Sequence, residues 1–215
     1  MDAALLDLYD TVARTRWGQL SARIADTLGV ERGDLIQAYG ETRAARAVGA
    51  FGSAAGDMQA IVESVSVRAT PELISALLEM EREYAEAGVE LWEDSLPVIR
   101  ALRERGVKTA LISNCSHSTR LVVDRLELDR ELDVVVLSFE VGAHKPDPTI
   151  YREALRRLGN VAPERAVFVD DQPDYCDGAA ALGIETFLID RSGDETPGAD
   201  GHRVIRDLWS LLTVA

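Results

Sequence analysis

The sequence predicts an α/β protein, an open and largely parallel sheet core with helices on both faces, carrying an inserted all-helical domain. Three features of the chain lead there. Ala3 to Leu8 is an apolar run closed by acids, too short for a helix and suited to a strand buried on both faces. From about Arg14 to Gly88 the apolar residues fall at helical spacing, and after Ser95–Pro97 amphipathic helix and apolar strand alternate strictly. The 215 residues suffice for one large domain or for a core with an insertion. The reading assigns residues 1–13 and 92–215 to the core and 14–91 to the helical insert.

Within the insert, Leu20, Ile24 and Leu28, then Leu73, Leu77, Met80 and Tyr84, mark helix faces, and glycines at 29, 33, 40, 49, 52 and 56 punctuate them. About four helices are expected. Thr70, Pro71 and Glu72 read as a helix start, with Thr70 as the cap and Pro71 where no amide donor is needed. That helix should run to about Ala87. Beyond it, candidate strands are Thr109–Ser113, Val134–Ser138, Ala166–Asp170 and Thr186–Asp190, each rich in Val, Ile, Leu and Phe. Intervening helices imply parallel pairing. Ser192–His202 reads as a mobile loop, followed by a short strand at Val204 and Ile205 and a helix over Arg206–Leu212.

Composition narrows the function. Hydrophobic residues make up 47% and charged residues 28%, which suits a soluble globular chain. The formal net charge of -14 repels nucleic acid and anionic membranes, so neither is an expected partner. Cys115 and Cys176 form no metal or redox pair and are read as reduced thiols. The N-terminus shows no basic flank before a long apolar run, so a cytoplasmic protein without signal or anchor is expected. Oligomeric state is not legible.

In parallel sheets, ligands bind beyond the carboxyl ends of the strands. Those ends here carry Asp7, Tyr9, Asp10 and Thr11, then Ser113 and Asn114, then Asp170, Asp171 and Asp174, with His144, Lys145 and Pro146 between. A single Asp closing a strand is usually a turn or cap residue. Several acids converging on one crevice cannot all ionise without compensation, and a divalent cation supplies it. Oxygen-only ligands favour Mg2+ over zinc.

In this order the motifs resemble the haloacid dehalogenase superfamily, hydrolases with a Rossmann-like core and a mobile cap inserted after the first strand. Leu5 to Val12 matches the first motif, Leu111 to Asn114 the second, Lys145 the third, and Phe168 to Asp171 the fourth, followed by Gly178–Ile184. The resemblance implies a helical cap, a nucleophilic Asp7, and Mg2+ held by Asp7, the Tyr9 main-chain carbonyl and Asp171, with Asp170 as neighbour or alternative ligand. It implies that Ser113, the Asn114 amide and Lys145 hold phosphate oxygens, and that a small phosphorylated metabolite is the substrate.

The chain departs from the family's phosphatases at one position. They carry a second Asp two residues after the nucleophile as the proton shuttle, and this chain has Tyr9, a phenol unsuited to general-base work at neutral pH. Tyr at that position marks the family's 2-haloacid dehalogenases, which attack carbon and need no metal. Those enzymes lack the fourth-motif acids, whereas Asp170 and Asp171 are present here. The reading therefore favours a Mg2+-dependent phosphohydrolase, with a 2-haloacid dehalogenase and a non-catalytic phosphate-binding relative as alternatives. Leaving groups that need no proton, such as acyl phosphates, would suffer least from Tyr9, or Asp10 could take the shuttle's place. For the dehalogenase, Arg43 and Arg46 beside Tyr39 and Phe51 are the candidate carboxylate and halide binders.

Other polar residues take plainer readings. His117 and His202 are expected to be solvated, Cys115 to pack, and Trp17, Trp92 and Trp209 to anchor the core or hinge. The helix face bearing Glu79, Glu81, Arg82, Glu83 and Glu86 is expected to face solvent.

Overall fold

The computed structural model describes residues 1–193 and 202–213. Six parallel strands form one sheet in the order β5-β4-β1-β6-β7-β8: Ala3–Leu6 (β1), Lys108–Ser113 (β4), Val134–Leu137 (β5), Ala166–Asp170 (β6), Glu185–Ile189 (β7) and Arg203–Ile205 (β8). β1 lies at the centre, with Leu6 opposite Leu111 on one side and Val169 on the other. All four of its residues are buried, because helices cover both faces.

Alternation along β1 divides the core. Ala4 and Leu6 join the cluster containing Val98, Ile99, Leu102, Val122 and Leu208. Ala3 and Leu5 join the cluster built by Ile150, Tyr151, Ala154 and Phe168 on the opposite face. Each fully buried leucine contributes about 1.5–3 kcal/mol from apolar burial. A polar residue at Leu5 or Leu6 would remove that and strand an unpaired group.

Four helices follow the first strand: α1 (Trp17–Leu28), α2 (Arg32–Ala47), α3 (Ala54–Ser64) and α4 (Pro71–Ala87). Leu20, Ile24, Leu35, Met58, Ile61 and Leu77 give them a core of their own. α4 starts as its sequence predicts, with the Thr70 hydroxyl accepting from the Leu73 amide at 3.3 Å. Ala13–Thr15 (β2) and Val89–Leu91 (β3) pair antiparallel where the chain enters and leaves this layer. The sequence shows no such pair, since three-residue strands are too short to display a period.

The remaining elements are α5 (Ser95–Glu104), α6 (Thr119–Arg125), α7 (Leu128–Glu131), α8 (Ser138–Val141), α9 (Pro148–Arg157) and α10 (Pro173–Ala180). Three differences from the sequence reading have local causes. β1 stops at Leu6 because the Leu8 carbonyl accepts from both Val12 and Ala13, which turns the chain. Ser138 opens α8 rather than closing β5. The C-terminal segment is a 3-10 run over Leu208–Thr213, its start held by the Leu208 amide on Asp94 Oδ2 at 2.6 Å. Of the expected loop at 192–202, residues 194–201 lie outside the described part.

Candidate active site

Asp7 is the first residue beyond β1, and its amide still donates to the Val169 carbonyl at 3.0 Å. The ladder thus fixes the Asp7 backbone at the sheet's carboxyl edge before the turn begins. Asp10 completes that turn with φ of +58°, a left-handed conformation Asp tolerates better than most residues. On the neighbouring strand, β6 ends in the fully buried Asp170, with Asp171 just outside. Lys145 arrives on the segment before α9 and is 1% exposed.

Its ammonium joins the two strand ends, donating to Asp7 Oδ1 at 2.5 Å and to Asp170 Oδ2 at 2.6 Å. Asn114 holds the lysine in place. Its side chain accepts from the Lys145 amide at 2.7 Å and donates to the Lys145 carbonyl at 2.8 Å. The Asn114 carboxamide therefore positions Lys145. Gly178 lets α10 approach this segment, since a Cβ there would lie 2.8 Å from the Pro146 carbonyl oxygen.

Ser113 ends β4 beside this cluster with a buried hydroxyl that has no partner among the described residues. A buried hydroxyl left unpaired costs about 1–3 kcal/mol, so it suits an oxygen ligand. Asp7, Asp170 and Asp171 can each offer a carboxylate oxygen, all within 4.8 Å of one another. This oxygen-only set fits a hard divalent cation. Burial pushes the Asp7 carboxyl up to about 8; Lys145 opposes the shift, and Asp170 and Asp171 reinforce it. Burial and then Asp170 likewise push Asp171 up to about 6. Lys145 keeps its charge, because Asp7 and Asp170 outweigh the cost of burial. One ammonium against three carboxylates leaves a deficit of positive charge that a divalent ion would fill.

Of the acids expected at the crevice, Asp10 and Asp174 stand apart from the trio. Asp174 is exposed in the first turn of α10. Asp10 borders the neighbouring cavity and adds to the rise of Asp171. The Tyr9 hydroxyl lies 3.2 Å from Thr119 Oγ1, and burial drives it further from ionisation. Its phenol forms cavity wall.

That cavity, of about 480 Å³, lies between the inserted helices and the core. Trp17, Tyr39, Arg43, Arg46, Glu81 and Tyr84 line it from the insert, and Tyr9, Asp10, Asn114, Cys115, Ser118 and Thr119 from the core. Several plainer readings change here. Trp17 borders the cavity, stacked edge-on against Tyr39. Glu81 faces the cleft and accepts a hydrogen bond from Ser118, whereas Glu79 and Glu86 pair with Arg82 outside. His117 is tied to Asp57 of the insert at 2.8 Å and packs on Phe139. His202 lies 3.6 Å from Asp177 with little exposure. Burial pushes the Cys115 thiol up to about 11, in keeping with packing. Trp92 lies beneath the Arg191 guanidinium, while Trp209 is exposed. Arg43 bonds the Tyr175 hydroxyl at 2.7 Å, and Phe51 does not line the cavity. Sequence reading put Glu81 on a solvated face and gave no site role to Tyr84, Ser116, Ser118 or Thr119, because no motif marks where the insert meets the core.

Fold and site together define a hydrolase-type α/β core with a carboxylate–lysine centre under a helical layer. The chain belongs to the haloacid dehalogenase-like hydrolases, whose family model matches residues 1–183. It is 36% identical over 122 residues to the phosphatase MT3486 of Mycobacterium tuberculosis, covering 56% of this chain and 54% of that protein. It is 29% identical over 127 residues to (S)-2-haloacid dehalogenase 4A of Burkholderia cepacia, covering 56% and 54%. The chain spans about half the length of these curated relatives. Its fold matches the crystal structure of a HAD phosphatase from Thermococcus onnurineus with a TM-score of 0.74 at 23% identity, over 100% of this chain and 97% of that one. Among the described residues no helix is long and apolar enough to cross a membrane.

Proposed function

We propose that this chain is a Mg2+-dependent phosphohydrolase acting on a small phosphorylated metabolite, with Asp7 as nucleophile. The observation that carries the reading is the trio Asp7, Asp170 and Asp171 around a single buried lysine, a set of charges that needs a cation. The orphaned Ser113 hydroxyl and the identity to a named phosphatase support it.

In this reading Asp7, Asp171 and the Tyr9 carbonyl would hold Mg2+, with Asp170 adjacent, and the bound ion would supply positive charge to offset that on the phosphoryl oxygens. Lys145, Ser113 and the Asn114 amide bind and orient the phosphoryl group. An Asp7 oxygen attacks phosphorus, the bond to the leaving oxygen breaks, and an aspartyl-phosphate forms. Water then attacks that phosphorus, releasing inorganic phosphate and restoring the carboxylate. The Tyr9 phenol moves no proton, being bonded to Thr119. Acyl phosphates, whose leaving group needs no proton, are therefore turned over fastest, and for esters Asp10 at the cavity edge is the candidate donor. Residues 14–91 act as a cap over this centre, moving about β2 and β3.

Tyr9 and the dehalogenase relative favour a second reading, metal-free attack of Asp7 on a 2-haloacid. One panel separates them: acyl phosphates, phosphate esters and 2-haloacids, each with Mg2+ and with EDTA, for wild type and Asp7→Asn. Phosphate release that needs both Mg2+ and Asp7 supports the phosphohydrolase. Halide release in EDTA replaces it with the dehalogenase.

A further inference from the structure

The cavity beside the phosphoryl site holds a second polar cluster that the chemistry above does not use. Glu81 enters from α4 and accepts from the Ser118 hydroxyl of the core. Tyr39 enters from α2 with a buried hydroxyl that has no partner among the described residues. Arg46 stacks over the Tyr39 ring at 4.9 Å and spends its Nε and one terminal nitrogen inside its own helix, on Thr42 Oγ1 at 3.0 Å and the Tyr39 carbonyl at 2.8 Å. Trp17, Leu20, Tyr84 and Ala85 supply apolar wall around these groups.

The charges in the cavity are balanced rather than basic. Its acids are Asp10 and Glu81 and its bases Arg43 and Arg46, with Arg43 engaged by the Tyr175 hydroxyl. Two acids against two bases give this wall no net charge to draw either a second anion or a cation to the far end of a ligand. An uncharged end that both donates and accepts hydrogen bonds fits Glu81 and the idle Tyr39 hydroxyl.

We infer that Tyr39 and Glu81 are specificity-determining residues that read a hydroxyl on the far, uncharged end of the substrate's leaving group. The inference rests on the phosphohydrolase reading for the placement of the phosphoryl group, and its test reads binding alone. Tyr39 is the sharper reader, because its hydroxyl makes no hydrogen bond to the described residues that a ligand would have to displace. Glu81 is the fixed acceptor, held by Ser118 across the cleft.

The experiment is calorimetric titration of the Mg2+-loaded full chain with alkylphosphonates of two to six carbons, whose C–P bond is not hydrolysed. Each length is compared as the plain, the ω-hydroxy and the ω-carboxy compound. At one length the hydroxyl is expected to tighten binding by about tenfold over the plain chain, and the carboxylate to bind more weakly than the hydroxyl. Tyr39→Phe, which removes an unpaired hydroxyl and keeps the ring, should bring the hydroxy and plain compounds to within about threefold. Glu81→Gln should reduce the same ratio by less, since an acceptor oxygen remains. Arg82→Gln, on the outer face of α4, should leave the ratio as in wild type. A hydroxyl advantage at no length, tightest binding by the carboxylate, or an advantage that survives Tyr39→Phe would overturn the inference. Absence of phosphate release from every substrate in the earlier panel would instead refute the phosphohydrolase reading, so the two failures are distinct.

Discussion

Lys145 is the residue on which the site's internal charge balance turns. It is the cation bonded to both Asp7 and Asp170, and all three are buried. Lys145→Met keeps most of the apolar stem and leaves the two carboxylates facing each other, which should cost about 3–5 kcal/mol. Urea denaturation in EDTA would measure it, and a loss below about 1 kcal/mol would mean the pair is relieved some other way. Glu81 gives a pH signature of its own. Burial raises its carboxyl to about 7, so the folded state binds this proton more tightly than the unfolded chain does. The associated stability is complete below the ordinary carboxylate range and is lost as pH rises towards about 7. The loss is about 3 kcal/mol. Asp7 and Asp171 slope the same way, so the clean observable is a difference: Glu81→Gln should be less sensitive than wild type between pH 5 and 8. Equal slopes would show that Glu81 stays ionised throughout.

Among the elements, the paired strands β2 and β3 stand where the chain enters and leaves the helical layer, and buried polar groups brace them. Arg191 bonds the Thr11 carbonyl at 2.6 Å and Asp94 at 2.7 Å and lies over Trp92, while Ser95 Oγ donates to the Val12 carbonyl at 2.7 Å. Arg191→Ala strips the cation from the buried Asp94 and should destabilise the fold by about 2–4 kcal/mol, seen as an earlier denaturation midpoint. Arg191→Lys should recover only part of this, since an ammonium cannot form the same forked set of bonds. None of this brace was legible in the chain. The strands β1 and β4 to β7 were, because burial on both faces forces unbroken apolar runs. α4 was legible from Thr70 and Pro71, and the acids at the strand ends from their position after those runs. By contrast, Glu81 sits in a helix of alternating charges where Glu79, Glu83 and Glu86 look the same. Only the packing of α4 against α6 singles it out, and that contact joins segments far apart in sequence. The phenol of Tyr9 shows the same limit: sequence identified the residue, and tertiary structure turned its hydroxyl towards Thr119.

For the molecule as a whole, the proposed Mg2+ site at the acidic trio of a chain with net charge -14 would link folding to cation binding. An ion that binds only where Asp7, Asp170 and Asp171 converge binds the folded chain and not the unfolded one. It therefore stabilises by mass action, about 2.7 kcal/mol when free Mg2+ is a hundredfold above its Kd. For a chain of this size each kcal/mol moves the melting temperature by about 2–4 °C, so Mg2+ should raise Tm by about 5–11 °C over EDTA. Asp171→Asn removes one proposed ligand and part of the charge deficit, and should abolish most of that rise. Asp174→Asn lies outside the trio on the exposed turn of α10 and should keep it. Matched ionic strength, set with a monovalent salt, separates site binding from general screening of the acidic surface. If both Asp variants respond to Mg2+ alike, the ion is acting on the overall charge, and the trio is not its site.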